Sequence, residues 1–375
     1  MTEMLAVLDH RARRDALESR LVASGLDAAV IWQPPTVCYF TGNEISGPNA
    51  VLWERRSGWV VVADEYDAWN FAVMAQGLQV RTYPYTSSLW PELAHALLSP
   101  EPRPSTVGVE FAEIRQASID ALRAGIPNAA LTSIDEDVAA LRLVKSSAEL
   151  NRHRDAATAV AAAYGTVRRM LRSSTSERAV AAAVYDALID AGSDYVASQP
   201  YVKSGDRALL THARWGTRDI APSDHVLVEI GASVGRYHAS LMRTRLMAEP
   251  ATSYTEVARA VVAGRDALMA AAQPGARAGD LHDAYVGALA RRGYASANRH
   301  PAGYSLGIAF PPYWGELPLL TITAGADRRL EPGMVLHLIS GLTEPAAGIP
   351  HIGLSECVLI TPTGPLRLIE EEDFL

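Results

Sequence analysis

One carboxylate stands inside an apolar, β-branched run, Val226-Leu227-Val228-Glu229-Ile230. An acid in such a strand costs free energy unless it is paired or used. Gly231 and Gly235 bracket an expected turn, and a second strand-like segment leads to Arg243-Thr244-Arg245. Glu229 is then either a catalytic acid, base or nucleophile on a pocket floor, or half of an ion pair with Arg243. Further along, Pro311-Pro312 stiffens a loop before Trp314 and Glu316. A Trp face beside an acid suits a cationic amidine or guanidine, and Trp314 would fit a core equally well.

These residues need a scaffold. Met1–Gly25 reads as an amphipathic helix, with Leu5, Leu8, Ala12, Leu17 and Leu21 on one face and Gly25 at its C-terminal cap. Ala28–Trp32 reads as a buried strand stopped by Pro34-Pro35, and Tyr39–Gly42 opens a loop. Val51–Trp53 and Trp59–Ala63 form a hairpin around Ser57-Gly58. Helices at Tyr66–Gly77, Leu89–Leu98 and Ala117–Ala124 alternate with strands at Val80–Tyr83 and Val107–Glu110, which predicts a compact α/β domain. Arg142–Glu149 reads as a hinge, and a long Ala-rich helix follows over Glu149–Leu171. Ser174 and Glu177 have capping-box spacing. The helix they launch carries Val180, Val184 and Leu188 and ends at Gly192. Leu281, Tyr285, Leu289 and Gly293 repeat that face at a constant offset, which predicts an internal duplication of two α/β halves about a pocket. A helix over Thr255–Ala272 lies between the copies. Short strands at Leu319–Thr323, Val335–Ile339 and Cys357–Thr361 complete the chain before a solvated acidic tail, Glu370–Asp373.

The 375 residues are enough for two or three domains. An apolar fraction of 49% with 20% charged residues describes a globular protein with a sizeable core. A net charge of −8 and the lack of a basic tract argue against nucleic acid or an anionic membrane as partner. The cysteines, Cys38 and Cys357, are too few for a disulfide framework or a thiolate cage. With no signal-like or membrane-length apolar run in the sequence, the expected location is the cytoplasm.

Several segments resemble the creatinase/aminopeptidase P/prolidase group. In the N-terminal part these are G-L-D-A-A-V-I-W and Y-F-T-G. In the C-terminal part they are L-R-L-V-K-S-S-A-E-L, V-L-V-E-I-G-A with Y-H-A-S-L-M-R-T, H-P-A-G-Y-S-L-G, G-M-V-L-H-L-I and L-S-E-C-V-L-I-T. The resemblance implies an α+β architecture: a creatinase-like N-terminal α/β domain over residues 1–144, then a pita-bread catalytic domain over 145–375, assembled as a homodimer. Peptidase members hold two divalent metals through two Asp, one His and two Glu. The matching positions here are Glu229, Ser240, Tyr304, Ile339 and Ser355, and the peptidases' second pocket histidine falls on Pro311. One carboxylate, two serines, a phenol and an isoleucine do not make a tight dimetal site, so no metal and no other cofactor is expected.

Metal-free members, creatinase and ectoine hydrolase, open C–N bonds of small zwitterions. G-Y-S-L-G-I-A-F-P-P-Y-W-G-E resembles the ectoine hydrolase segment, although Tyr313 stands where an acid is expected. The resemblance therefore implies a metal-independent hydrolase of a small cyclic amidine or zwitterion. Its catalytic residues would be Glu229, His212 and Tyr304, with His238, Arg243, His300, Trp314, Glu316 and His337 contacting substrate. Each has a bland alternative: an ion pair for Glu229 and Arg243, a satisfied core histidine for His212, His238, His300 and His337, and space filling for Tyr304. His351 has no assigned role. Other readings are a C–N hydrolase or cyclase for another guanidine or amidine, a non-catalytic binding protein and, last, an Xaa-Pro metallopeptidase.

Overall fold

The computed structural model describes residues 9–44, 46–75, 77–99, 101–172, 174–246, 252–294, 300–344 and 349–371. Leu5 and Leu8 of the first expected helix, and Glu372-Asp373 of the tail, lie outside them. The chain divides into two compact units, Val7–Arg142 and the chain from Leu143 onward.

The first unit has six strands, β1 (Ala28–Ile31), β2 (Ala50–Glu54), β3 (Gly58–Asp64), β4 (Gln79–Tyr83), β5 (Thr106–Val109) and β6 (Ala130–Ser133), in the sheet order β4-β3-β2-β1-β5-β6. Among the described residues six helices accompany it: α1 (His10–Ala23), α2 (Pro34–Thr41), α3 (Ala68–Met74), α4 (Leu89–Leu98), α5 (Gln116–Gly125) and α6 (Asp135–Arg142). Val30, Leu52, Val62 and Val107 of the sheet pack with Leu93, Leu97 and Leu122 of α4 and α5. The expected loop at Tyr39–Gly42 is instead the end of α2. Pro34 and Pro35 occupy the first turn, where a missing N–H costs nothing, and Gly42 closes the helix at φ 77°. The sequence reading missed β6 and α6, because the edge strand β6 is mostly exposed and lacks a buried apolar face.

The second unit begins with α7 (Ser147–Met170) and α8 (Glu177–Asp190) and a three-stranded sheet, β7 (Tyr201–Ser204), β8 (His225–Val234) and β9 (Tyr237–Leu246). Next come α9 (Thr252–Ala271) and α10 (Ala278–Ala290). A five-stranded sheet follows, made of β10 (Gly303–Ser305), β11 (Thr321–Ile322), β12 (Val335–Glu344), β13 (Ile349–Thr361) and β14 (Gly364–Arg367), in the order β11-β10-β12-β13-β14. The repeated helix face is real: Val180, Val184 and Leu188 on α8 and Leu281, Tyr285 and Leu289 on α10 are all buried. Each of these helices precedes an antiparallel sheet.

The α7 residues Val160, Tyr164 and Val167 join one core with Val228 and Ile230 of β8 and Leu241 of β9. The Tyr164 hydroxyl reaches the carbonyls of Val228 (2.6 Å) and Leu241 (2.8 Å), fixing helix to sheet. On the other sheet, Ser340 Oγ donates to the Val261 carbonyl of α9 (2.7 Å). The two sheets are laced where β9 runs beside β13. Gly353 N–H donates to Thr244 Oγ1 (2.9 Å), which donates to the Gly353 carbonyl (3.0 Å), and Met242 N–H donates to Ser355 Oγ (2.7 Å).

Four local expectations are corrected. The capping box belongs to α7, where Ser146 and Glu149 cap reciprocally. Ser176, not Ser174, caps α8, and Glu177 is its first residue. The turn expected between Gly231 and Gly235 is the two-residue Gly235-Arg236 connection, both at positive φ, while Gly231 lies inside β8. Glu371 of the tail is not solvated: its carboxylate is almost fully buried and pairs with Arg168 at 2.9 Å.

Candidate active site

Strand alternation decides which side chains meet. On β8, Val228 faces the α7 core, so Glu229 faces the opposite side. Glu229 is partly exposed while its neighbours Val228 and Ile230 are buried, so its carboxylate borders a cleft rather than packed core. Tyr201 of β7 pairs with it on one side and Met242 of β9 on the other. Tyr304, Ile339 and His351 are also partly exposed beside buried neighbours.

Glu229 makes no hydrogen bond or ion pair among the described residues. Burial is the main influence on it and pushes its pKa up to about 7, against the opposing pull of Lys203 and Arg214. Lys203, on the same face of β7, is 2% exposed. Its Nζ donates to the Leu210 carbonyl (3.0 Å) and lies 3.2 Å from His351 Nδ1. Burial brings it down to about 8, with Glu229 and Glu177 working the other way. The Arg214 guanidinium stacks on the Tyr201 ring, 4.2 Å from its centroid, and donates to Gln199 Oε1 (2.9 Å) and the His212 carbonyl (2.8 Å). The buried Glu177 carboxylate organises this loop by accepting from Ser204, Arg207 and the Gly216 N–H.

Facing Glu229 is a hydrogen-bond chain. Ser355 Oγ accepts from Met242 N–H (2.7 Å) and lies 2.5 Å from His337 Nε2. Burial holds His337 neutral, down at about 3. Its Nδ1 lies 3.0 Å from the Tyr304 hydroxyl oxygen. Trp314 Nε1 donates to the same oxygen at 2.9 Å. In the tautomer that carries its proton on Nδ1, His337 donates to that oxygen as well and leaves the Tyr304 O–H for the cleft. Burial first, and the Glu229 charge next, hold that phenol well above its ordinary pKa.

The expected residues separate into groups. Glu229, Tyr304, Trp314 and His337 come together, His337 by orienting Tyr304. Trp314 is 4% exposed, and its ring covers Gly231, where a Cβ would meet Trp314 Cε3 at 2.7 Å. His212 lies on the exposed loop after β7, with its ring 6.4 Å from that of Tyr201 and no hydrogen bond on its imidazole among the described residues. His300 stands apart, its ring nitrogens on the Pro301 (2.7 Å) and Gly341 (3.2 Å) carbonyls.

Three substrate contacts are corrected. His238 is fully buried, with Nδ1 on the Arg236 carbonyl (2.8 Å) and Nε2 accepting from Ala197 N–H (3.2 Å), so neither nitrogen is available. Arg243 does not pair with Glu229. It lies on the opposite face of the sheet, fully buried against Glu356 at 3.2 Å. Glu316 forms a buried ion pair with Lys145 at 3.0 Å. The sequence reading missed Lys203, Arg214 and Tyr201. Lys203 carried the same signal as Glu229, a lone charge in an apolar strand (Tyr201-Val202-Lys203), but was not weighed.

Residues 151–362, more than half of the chain, match the Metallopeptidase family M24, and residues 13–144 match the Creatinase/Prolidase N-terminal domain. The protein belongs to the M24 family. It is an M24 hydrolase with a creatinase-type N-terminal domain and a pita-bread catalytic domain, an α+β architecture. Among its relatives, the ectoine hydrolase of Halomonas elongata is 26% identical over 64% of this chain and 61% of that protein. A Xaa-Pro dipeptidase of Lactobacillus delbrueckii subsp. lactis is 24% identical over 93% of this chain and 94% of that protein. The prolidase structure from Pyrococcus horikoshii OT3 superposes with a TM-score of 0.82 at 20% identity, covering 97% and 99% of the two chains.

M24 peptidases, as the sequence resemblance describes them, hold a metal pair, and the side chains here do not fit one. Of the five aligned positions, Ser240 stands on the sheet face of Glu229, paired with Gly231, Tyr304 feels the Glu229 charge, and Ile339 pairs with Ser355. However, the Ser240 hydroxyl is buried without a partner among the described residues, the Ser355 and Tyr304 oxygens already accept N–H donors, and Ile339 offers no donor atom. The one carboxylate instead faces the Lys203 and Arg214 cations, which oppose a second positive ion.

Proposed function

We propose that this M24 hydrolase opens a C–N bond of a small cyclic amidine or related zwitterion without a metal, with an ectoine-like molecule as substrate. The observation carrying this reading is Glu229: a cleft-facing carboxylate with no hydrogen-bond partner among the described residues, at the position that matches a metal ligand of the family's peptidases and flanked by cations. One carboxylate against Lys203 and Arg214 leaves the cleft positive, which suits a substrate bringing its own carboxylate. Ionised Glu229 adds to the electron-poor amidine carbon, and the Tyr304 O–H hydrogen-bonds the nitrogen on which electrons collect while keeping its proton. Water then releases the N-acyl diamino acid. Splitting the reaction in this way is what a nucleophile offers.

Incubation with ectoine, creatine and an Xaa-Pro dipeptide, with and without chelator and followed by mass, tests this. Ectoine opening that is unchanged by chelator and falls by about 10³-fold or more in Glu229→Gln is expected. Chelator-sensitive cleavage of the dipeptide alone would refute the reading. A larger amidine or guanidine is the second reading, because Arg214 also lines an open groove of about 500 Å³ with Tyr195, Pro311 and Pro312. Tyr313 does not choose between the two, since its side chain is 65% exposed.

A further inference from the structure

Lys203 is buried in the second unit, and the mechanism above does not use it. A fully buried lysine is rare unless paired, and the pairing here is incomplete. Two acceptors, the Leu210 carbonyl and His351 Nδ1, take two of its three N–H groups, and among the described residues the third has none. The His351 contact makes that imidazole an acceptor, so it is neutral, and burial holds it well below its ordinary pKa. The opposite charge acting on it most is Glu229, diagonal to Lys203 on the same sheet face: Lys203 pairs with Leu227, and Tyr201 with Glu229. A donor without an acceptor and a carboxylate without a donor thus sit one strand apart, on the face that borders the cleft.

We propose that Lys203 is a second catalytic residue, which keeps Glu229 ionised for attack and gives a proton to the nitrogen that leaves. The proposal rests on the amidine-opening reading. When Glu229 Oε has bonded to the amidine carbon, the ring C–N bond breaks and its electron pair stays on nitrogen. That nitrogen takes a proton from Lys203 Nζ and departs as an amine. Water then attacks the same carbon and passes a proton to the neutral Lys203, and the C–O bond to Glu229 breaks with its electrons returning to the carboxylate. Lys203 begins and ends as an ammonium and Glu229 as a carboxylate. An amine whose burial brings it near 8 suits both directions of transfer near neutral pH. The other charged or titratable groups acting on the pair are Arg214 from the loop after β7, His225 from β8, Tyr304 from β10, His351 from β13 and Glu177 from α8, while Tyr164 from α7 feels Glu229 from the opposite face of the sheet.

Two substitutions separate the two roles. Lys203→Met removes charge and proton; Lys203→Arg keeps the charge on a group that does not release its proton. Two probes are read on wild type and both variants. One is infrared titration of the Glu229 carboxyl, taken as the difference from Glu229→Gln. The other is kcat on ectoine and on an N-aryl acetamidine, whose weakly basic leaving nitrogen needs little protonation. In Lys203→Met, the Glu229 titration should move up by about one unit or more. Its kcat on ectoine should fall about 10²–10³-fold, with a much smaller loss on the aryl amidine. Lys203→Arg should restore the titration but not kcat on ectoine. Equal losses on both substrates, or an unmoved Glu229 titration, would overturn the proposal. The titration needs no substrate. If wild type opens no amidine while Lys203→Met shifts Glu229, the functional reading and the proton transfer fall and the charge coupling stands. If wild type is active and the variants match it, only the Lys203 proposal falls.

Discussion

At position 229 the ionised carboxylate works against folding. Burial raises its pKa from 4.5 to about 7, so the folded chain holds this proton more tightly than the unfolded chain does. The folded state therefore loses stability as pH rises from about 4.5 to about 7, and carries the full penalty above that window. Glu229→Gln should leave thermal stability unchanged near pH 4 and raise it near pH 8, by on the order of 1–2 kcal/mol, while abolishing turnover. Thermal melts of both proteins across that range check this. A variant equally destabilised at every pH would mean that the carboxylate is a structural anchor. The same logic marks His238, Arg243 and Glu316 as structural, because each already spends its charge or lone pairs on protein groups. Their residue types looked chemical in the sequence, but only their neighbours show that they are occupied.

At the scale of elements, β8 has to serve two faces at once. Its even-numbered side chains fill the core under α7, and Glu229 faces the cleft from the opposite side. Gly231 is part of that arrangement, since the Trp314 ring lies where a Cβ would stand, and Trp314 holds the Tyr304 hydroxyl. Gly231→Ala should push the indole off Tyr304, costing about 1–3 kcal/mol of stability as overpacking and lowering kcat. A Tm within a degree of wild type, with unchanged turnover, would show that the ring has room to move. The sequence reading took Gly231 for a turn residue. Glycine marks either a reversal or a close approach, and deciding between them requires knowing what lies across the sheet.

Across the catalytic unit, one buried acid ties distant segments together. Glu356 on β13 meets Arg243 on β9, Arg265 on α9 (3.3 Å) and Arg367 on β14 (3.6 Å), while Glu371 near the C-terminus holds Arg168 on α7. Removing one partner leaves buried cations uncompensated, so Glu356→Gln should cost about 3–5 kcal/mol and lower Tm markedly. Activity per folded molecule should be retained, because none of these groups faces the cleft. A thermal melt together with an active-site titration checks both halves. Among the described residues no helix is long and apolar enough to cross a membrane.

The sequence by itself determined what depends on local pattern: the alternation of strands and helices, the repeated face Val180-Val184-Leu188 and Leu281-Tyr285-Leu289, and the lone acid in β8. Periodicity and the cost of burying charge act over a few residues, so they are written in the chain. Tertiary structure decided what depends on partners far apart in the chain. It gave Arg243 to Glu356 and Glu316 to Lys145, turned His337 and Ser355 into a relay ending at Tyr304, and brought Lys203 beside Glu229. An ionisable group's role follows from what desolvates it and what faces it. Those neighbours come from strands and loops tens to more than a hundred residues away, which spacing alone does not reveal.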